Sequence, residues 1–114
     1  MKNNQVNLIG RLGKDPVTKF VGEENSKLSE ISLATTSKWK TKSGEQKEKL
    51  QWHSLVAWDK LAEISEKYLR KGMMIAVTGE LDYDSYPNRE GHYVNTTKIK
   101  LSEIMILSNA PDKS

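Results

Sequence analysis

Trp39, Trp52 and Trp58 hold all the indole of this chain, and lysines stand between and beside them: Lys38, Lys40, Lys42, Lys47 and Lys49. An indole on an open sheet face is a flat platform for a nucleobase, indifferent to which base it meets, and each stacked base contributes roughly 1–3 kcal/mol. Lysines along the same path can neutralise phosphates. A single tryptophan in a small domain is more often a core aromatic. Three beside a lysine-rich stretch favour the binding reading. From Lys38 to Lys49 five lysines face only Glu45 and Glu48. Glu80, Asp82 and Asp84 form a second cluster, spaced so that three carboxylates share one strand face. As divalent-cation ligands they would make a metal-dependent nuclease. No paired histidine or placed general base accompanies them, so a solvated strand end is the stronger reading. His53 and His92 are isolated and give no sign of catalysis. The glycines of GRLG (10–13) lack the spacing of a phosphate loop.

The elements that position these residues follow from hydrophobic periodicity. Ile31, Leu33 and Thr35 alternate with Ser32 and Ala34, a period of two that predicts a strand over Leu28–Thr36. In Gln51–Trp58, Trp52, Ser54, Val56 and Trp58 share one face, and His53, Leu55 and Ala57 share the inward one. Lys40–Lys49, polar and carrying Ser43-Gly44, reads as the tip of a long hairpin. A first strand is predicted over Gln5–Leu12, with Val6, Leu8, Gly10 and Leu12 on one side; Gly10 and Gly13 mark a bend or a close approach of backbone. Val17–Val21 is a short extended piece.

Asp59–Lys71 is the one helical pattern. Asp59 is its expected N-cap, Leu61, Ile64, Tyr68 and Leu69 its apolar stripe, and Gly72 its expected C′ residue. Met74–Leu81 is a further strand, Asp82–Gly91 a loop or extended hairpin, and His92–Leu107 a long or broken last strand. Three strands, one helix and two strands give an all-β plan: the OB-fold, a five-stranded Greek-key barrel with its helix between the third and fourth strands, whose second and third strands face oligonucleotides.

Length and composition agree. One domain is expected of 114 residues, here 1–108, with 109–114 as a short flexible end. Eighteen basic and 15 acidic residues give a net charge of +3, a weak global pull towards a polyanion. The absence of cysteine excludes disulfides and thiolate metal sites. No apolar run approaches the ~18 residues of a membrane span, and no signal peptide is legible, so no membrane partner and a cytoplasmic, nucleoid-associated location are expected.

NLIGRLGKDP (7–16), ISLATTSKWK (31–40), GEQKE (44–48), QWHSLVAW (51–58), KLAEISEKYLRKG (60–72) and TGEL (78–81), taken in order and spacing, resemble the bacterial single-stranded DNA-binding protein family. The resemblance implies an OB-fold, usually a homotetramer, that coats single-stranded DNA without sequence preference, catalysis or cofactor, in replication, recombination and repair. It implies stacking positions at Trp39, Trp52 and Trp58, and a fourth, usually Trp, at Tyr86. It also implies phosphate contacts at Lys40, Lys42, Lys47, Lys60 and Lys71, and a subunit contact at His53. Three departures stand out. The loop after Leu81, usually basic, carries Asp82, Asp84 and Glu90 against Arg89. An aromatic usual near the start of the last strand is Asn95, with Tyr93 two residues earlier. The family's Gly/Pro/Gln-rich tail with its acidic, partner-recruiting tip has no counterpart before the sequence stops at PDKS, so no protein partner carries over. An OB module acting only as a protein adaptor is the remaining class, and the lysine–tryptophan pairing argues against it.

Overall fold

Alternating residues with one dry face build strands wherever a core is available to receive them. The computed structural model describes residues 3–109. Its elements are β1 (Val6–Leu12), β2 (Val17–Val21), β3 (Ser26–Lys40), β4 (Gln46–Trp58), α1 (Lys60–Tyr68), β5 (Met74–Pro87) and β6 (Tyr93–Ser108). The sheet runs β1-β5-β6-β4-β3, and β1 also pairs with β3, so these five strands close into a barrel, with α1 between β4 and β5. This is the expected OB-fold. β2 is an added edge strand on β3, from Val17 opposite Glu30 to Val21 opposite Ser26. The expected flexible end falls, except for Asn109, outside the described residues.

The core comes from the inward parity of each strand. Leu12, Ile31, Leu33, Leu55, Ala57, Ile75, Val77, Ile99 and Leu101 are buried together with Leu69 and Met73. At about 25 cal/mol per Å² of apolar surface withdrawn from water, this cluster is the main stabilising term. The two glycines of the first bend have distinct roles. A Cβ on Gly10 would lie 2.2 Å from the Ala34 carbonyl oxygen, so this glycine lets β1 cross close over β3. A Cβ on Gly13 would lie 2.3 Å from Cζ3 of Trp52, so this one leaves room for an indole.

The helix differs from its sequence pattern. It ends at Tyr68, and Leu69 is already extended. Gly72, with φ 88°, turns the chain into β5 and is not the residue after the helix. Asp59 takes φ 53° and makes no side-chain capping bond. Ala62 and Ser65 are buried on its inward side; of the expected stripe, Leu61 packs against the core and Leu69, just past the helix, is buried, whereas Tyr68 is exposed beneath Lys67 Nζ at 5.3 Å from its ring. Two small residues let the helix approach the barrel closely. Ser65 is tolerated there because its hydroxyl donates to the Leu61 carbonyl at 2.8 Å. At the C-terminal end the Arg70 guanidinium donates to the carbonyls of Glu66 and Leu69.

The largest difference from the sequence reading is the length of two hairpins. β3 and β4 pair without interruption from Leu28–Trp58 to Lys40–Gln46, well past the last buried pair, and a tight turn over 41–45 closes them. β5 and β6 likewise pair out to Pro87–Tyr93, so Asp82–Gly91 is mostly strand. The Leu55–Ile99 contact between β4 and β6 is parallel. Both arms therefore leave the barrel from the same end, which accounts for a longest dimension of 55 Å.

Candidate nucleic-acid interface

Register decides which side chains share a surface, because residues directly opposite in a ladder point to the same side and successive residues alternate. Ala34 is opposite Trp52, Ser32 opposite Ser54, Glu30 opposite Val56 and Leu28 opposite Trp58. These residues form the outer face of the β3–β4 wall. Trp52 is 60% exposed, with its ring edge over Gly13, held out on the surface and not folded into the core. Trp58 is half-buried beside Leu28, which is buried although it lies on the outer face. The two tryptophans are six residues apart, about 20 Å along the strand.

Trp39 lies elsewhere. It is opposite Lys47 and stands five positions, an odd step, from Ala34 in an unbroken register. Its indole, 48% exposed, therefore projects from the other side of the arm, with Lys47 and Lys49. Trp52 and Trp58 share one face as their spacing indicates, and Trp39 occupies the other face of the ribbon. Sequence reasoning missed this because the relative parity of two strands depends on the turn length that joins them.

The lysines divide in the same way. Lys40 is exposed at the end of β3, on the Trp52 side. Lys42 is exposed in the tip turn. Lys47, beside Trp39, lies 3.3 Å from Glu45. The backbone N–H of Lys71 donates to Asp15 Oδ1 at 2.7 Å, and that of Gly72 to the Leu12 carbonyl, which fixes Lys71 beside the Gly13 bend and hence near Trp52. Lys60 starts α1 at the opposite end of β4, lining a shallow depression with Phe20, Lys27 and Glu63. It is separated from the Trp39–Lys47 pair by most of the hairpin. His53 is half-buried on the inward parity, opposite Leu33, with Nε2 2.8 Å from Thr35 Oγ1.

On the second arm, Tyr86 is half exposed and shares its face with Asp82 and Asp84. Glu80 and Asp82 stand directly opposite Lys100 and Lys98. The carboxylates do share a strand face, and that face already carries matching cations. The opposite face of the arm holds Tyr83 and Tyr93, 70% and 74% exposed, with Ser85, Asn95 and Thr97 and no acidic residue. This aromatic pair was not singled out as a site from the sequence. The signal was present as odd-numbered tyrosines interleaved with even-numbered aspartates, but it has meaning only once the segment is known to be strand.

Among the described residues, two acidic groups have perturbed titration. The Lys19 ammonium, 2.7 Å away, donates a hydrogen bond to Glu30 and holds its carboxyl below the usual 4.5, against a smaller opposing effect of burial. The hydrogen bond from Lys27 at 3.0 Å lowers Glu66 in the same way and ties β3 to α1.

A closed OB barrel with exposed indoles and lysines on its outer wall and on one projecting arm is the architecture on which oligonucleotide-binding faces are built. Residues 3–107 match the model of the single-strand binding protein family, and the chain belongs to that family. It is 41% identical over 104 residues to a single-stranded DNA-binding protein of Xanthomonas campestris pv. campestris, covering 91% of this chain and 60% of that protein. A protein of the same name from Xylella fastidiosa is 37% identical over 109 residues, covering 96% of this chain and 66% of its own length. The chain thus spans about three-fifths to two-thirds of these relatives. Among solved structures, the Plasmodium falciparum SSB in complex with ssDNA superposes with a TM-score of 0.84 at 31% identity, covering 95% of this chain and 97% of that one. A deletion mutant of the Thermus aquaticus single-stranded DNA binding protein superposes at 0.81 with 25% identity, covering 92% and 50%.

Proposed function

We propose that this chain binds and coats single-stranded DNA without sequence specificity, in replication, recombination and repair, in the cytoplasm with the nucleoid. The observation that carries the reading is Trp52, an indole left largely in solvent on the outer barrel wall and accommodated there by a glycine. A large apolar ring gains nothing from water, and the stacking of a base on it would withdraw it. Trp39, Trp58, Lys40, Lys42, Lys47 and Lys71 extend the contact. Lys60 belongs to it only if the strand follows the wall as far as α1. No catalytic step is assigned: Lys98 and Lys100 opposite Asp82 and Glu80 favour a charge-balanced strand surface over a metal centre.

Assembly as a homotetramer belongs to the same reading. Ile9, Ala76 and Met105 lie in one row across β1, β5 and β6 on the outward face, with Ile9 and Met105 almost two-thirds exposed. A second copy of the same surface would cover such a row, and His53 is the subunit contact expected from the family.

The test is a tryptophan fluorescence titration against oligo(dT), duplex DNA and RNA of equal length. Quenching by the single strand at far lower concentration than by duplex supports the binder. Cleavage with Mg²⁺ would support the nuclease, and no response the adaptor.

A further inference from the structure

Between the two outer-face tryptophans lies a cleft of about 180 Å³. Its floor is Ser32, Ser54 and Val56, and its walls carry Lys14, Lys98 and Glu30. Lys14 comes from the turn after the Gly13 bend, and Lys98 from β6 where that strand runs beside β4. Neither belongs to the lysine-rich hairpin. They are far apart in sequence, and only barrel closure brings them to one depression.

The cleft also holds a misplaced charge. An ionised Glu30 on the path of a polyanion is repulsive, yet Lys19 Nζ sits 2.7 Å from its Oε1. Lys19 is on β2, opposite Leu28, in the same outward row as Trp58. The accessory strand β2 is thus the element that brings a compensating cation to this position.

We propose that the cleft between Trp52 and Trp58 is a phosphate subsite of the single-strand path, in which Lys14 and Lys98 contact the backbone and Lys19 neutralises Glu30. The proposal rests on the single-stranded DNA reading and deepens it. Three physical points support it. A single strand that stacks on both indoles, about 20 Å apart, and takes the direct route between them carries its backbone over the ground between them. The cleft lies on that ground, and its two hydroxyl-bearing serines can donate to phosphate oxygens. With Glu30 paired to Lys19, the charged groups the walls present are Lys14 and Lys98, of which Lys98 also stands opposite Asp82 on β5.

The test is a set of oligo(dT) titrations over a range of salt. For single strands, log K falls with log salt by about 0.7 for each phosphate neutralised. Lys14→Gln and Lys98→Gln are each expected to make the slope shallower by about that amount, whereas Lys67→Gln, on the outside of α1, should leave it unchanged. Lys19→Gln is expected to weaken binding at low salt by exposing Glu30, and Lys19→Gln with Glu30→Gln to recover at least wild-type affinity. Unchanged slopes for both lysines, or a double variant no better than Lys19→Gln alone, overturn the subsite while the wild type still binds. A wild type that does not bind oligo(dT) overturns the functional reading itself.

Discussion

Gly13→Ala separates the architecture of the Trp52 platform from the stability of the barrel. The added Cβ would lie 2.3 Å from Cζ3 and 2.6 Å from Cη2 of the indole. Ordinary carbon–carbon contact is about 3.5–4.0 Å, so the ring edge must retreat by more than about 1 Å. Gly13 does not have a positive φ, so alanine adds no backbone strain there. The obstructing atoms are the far end of an exposed side chain, which can swing into solvent. The cost should therefore fall on binding: part or all of one base stack, roughly 1–3 kcal/mol. That is about 5- to 150-fold in Kd for oligo(dT). Gly10→Ala is the counterpart. Its Cβ meets the Ala34 carbonyl oxygen at 2.2 Å, backbone that cannot yield without moving β3. Overpacking of this kind costs about 1–3 kcal/mol, and each kcal/mol lowers Tm by about 4–8 °C in a domain near this size. Fluorescence titration and thermal unfolding of both variants check the pair. Wild-type affinity in a folded Gly13→Ala protein would refute the platform reasoning.

Other expectations follow from the same geometry. Asp82→Asn with Asp84→Asn should tighten oligo(dT) binding at low salt, with less gain at high salt where repulsion is screened; titrations at two ionic strengths decide it. Tyr83→Ala and Tyr93→Ala should each weaken binding more than Tyr86→Ala, which shares its face with the aspartates, as parallel titrations would show. His53→Lys should shift the oligomer towards smaller species by light scattering, because an unpaired buried ammonium costs several kcal/mol. Glu30 has a lowered folded-state pKa, so the Lys19–Glu30 pair stabilises fully above the ordinary 4.5 and is lost as pH falls through the lowered value. Acid unfolding of Lys19→Gln should lack that contribution.

The barrel was legible because its strands are wet on one side and dry on the other, which is the condition for a period of two. Ile31, Leu33, Leu55 and Ala57 fall on the side their alternation indicates for that reason. Beyond Thr36 and before Gln51 both faces of the β3–β4 arm are solvated, alternation vanishes, and pairing continues on main-chain bonds alone. The same holds for Tyr83–Pro87. The helix lies within the expected span but ends earlier, and Leu61 and Leu69 meet the core as expected; Ala62 and Ser65 have little hydrophobicity to announce their inward positions. The Trp39–Trp52 relation depended on hairpin register. Lys14, Lys19 and Lys98 depended on closure of the barrel and on β2, neither of which leaves a local trace in sequence.

Trp52→Ala tests the central claim most directly, with oligo(dT) affinity, its salt dependence and thermal unfolding measured on the same protein. A stacking indole on the barrel wall predicts a loss of roughly 1–3 kcal/mol in binding, a nearly unchanged slope of log K against log salt, and a melting temperature close to wild type. A variant that melts far lower while its folded fraction binds oligo(dT) as tightly as wild type would contradict the account, and would return Trp52 to the packing of the barrel.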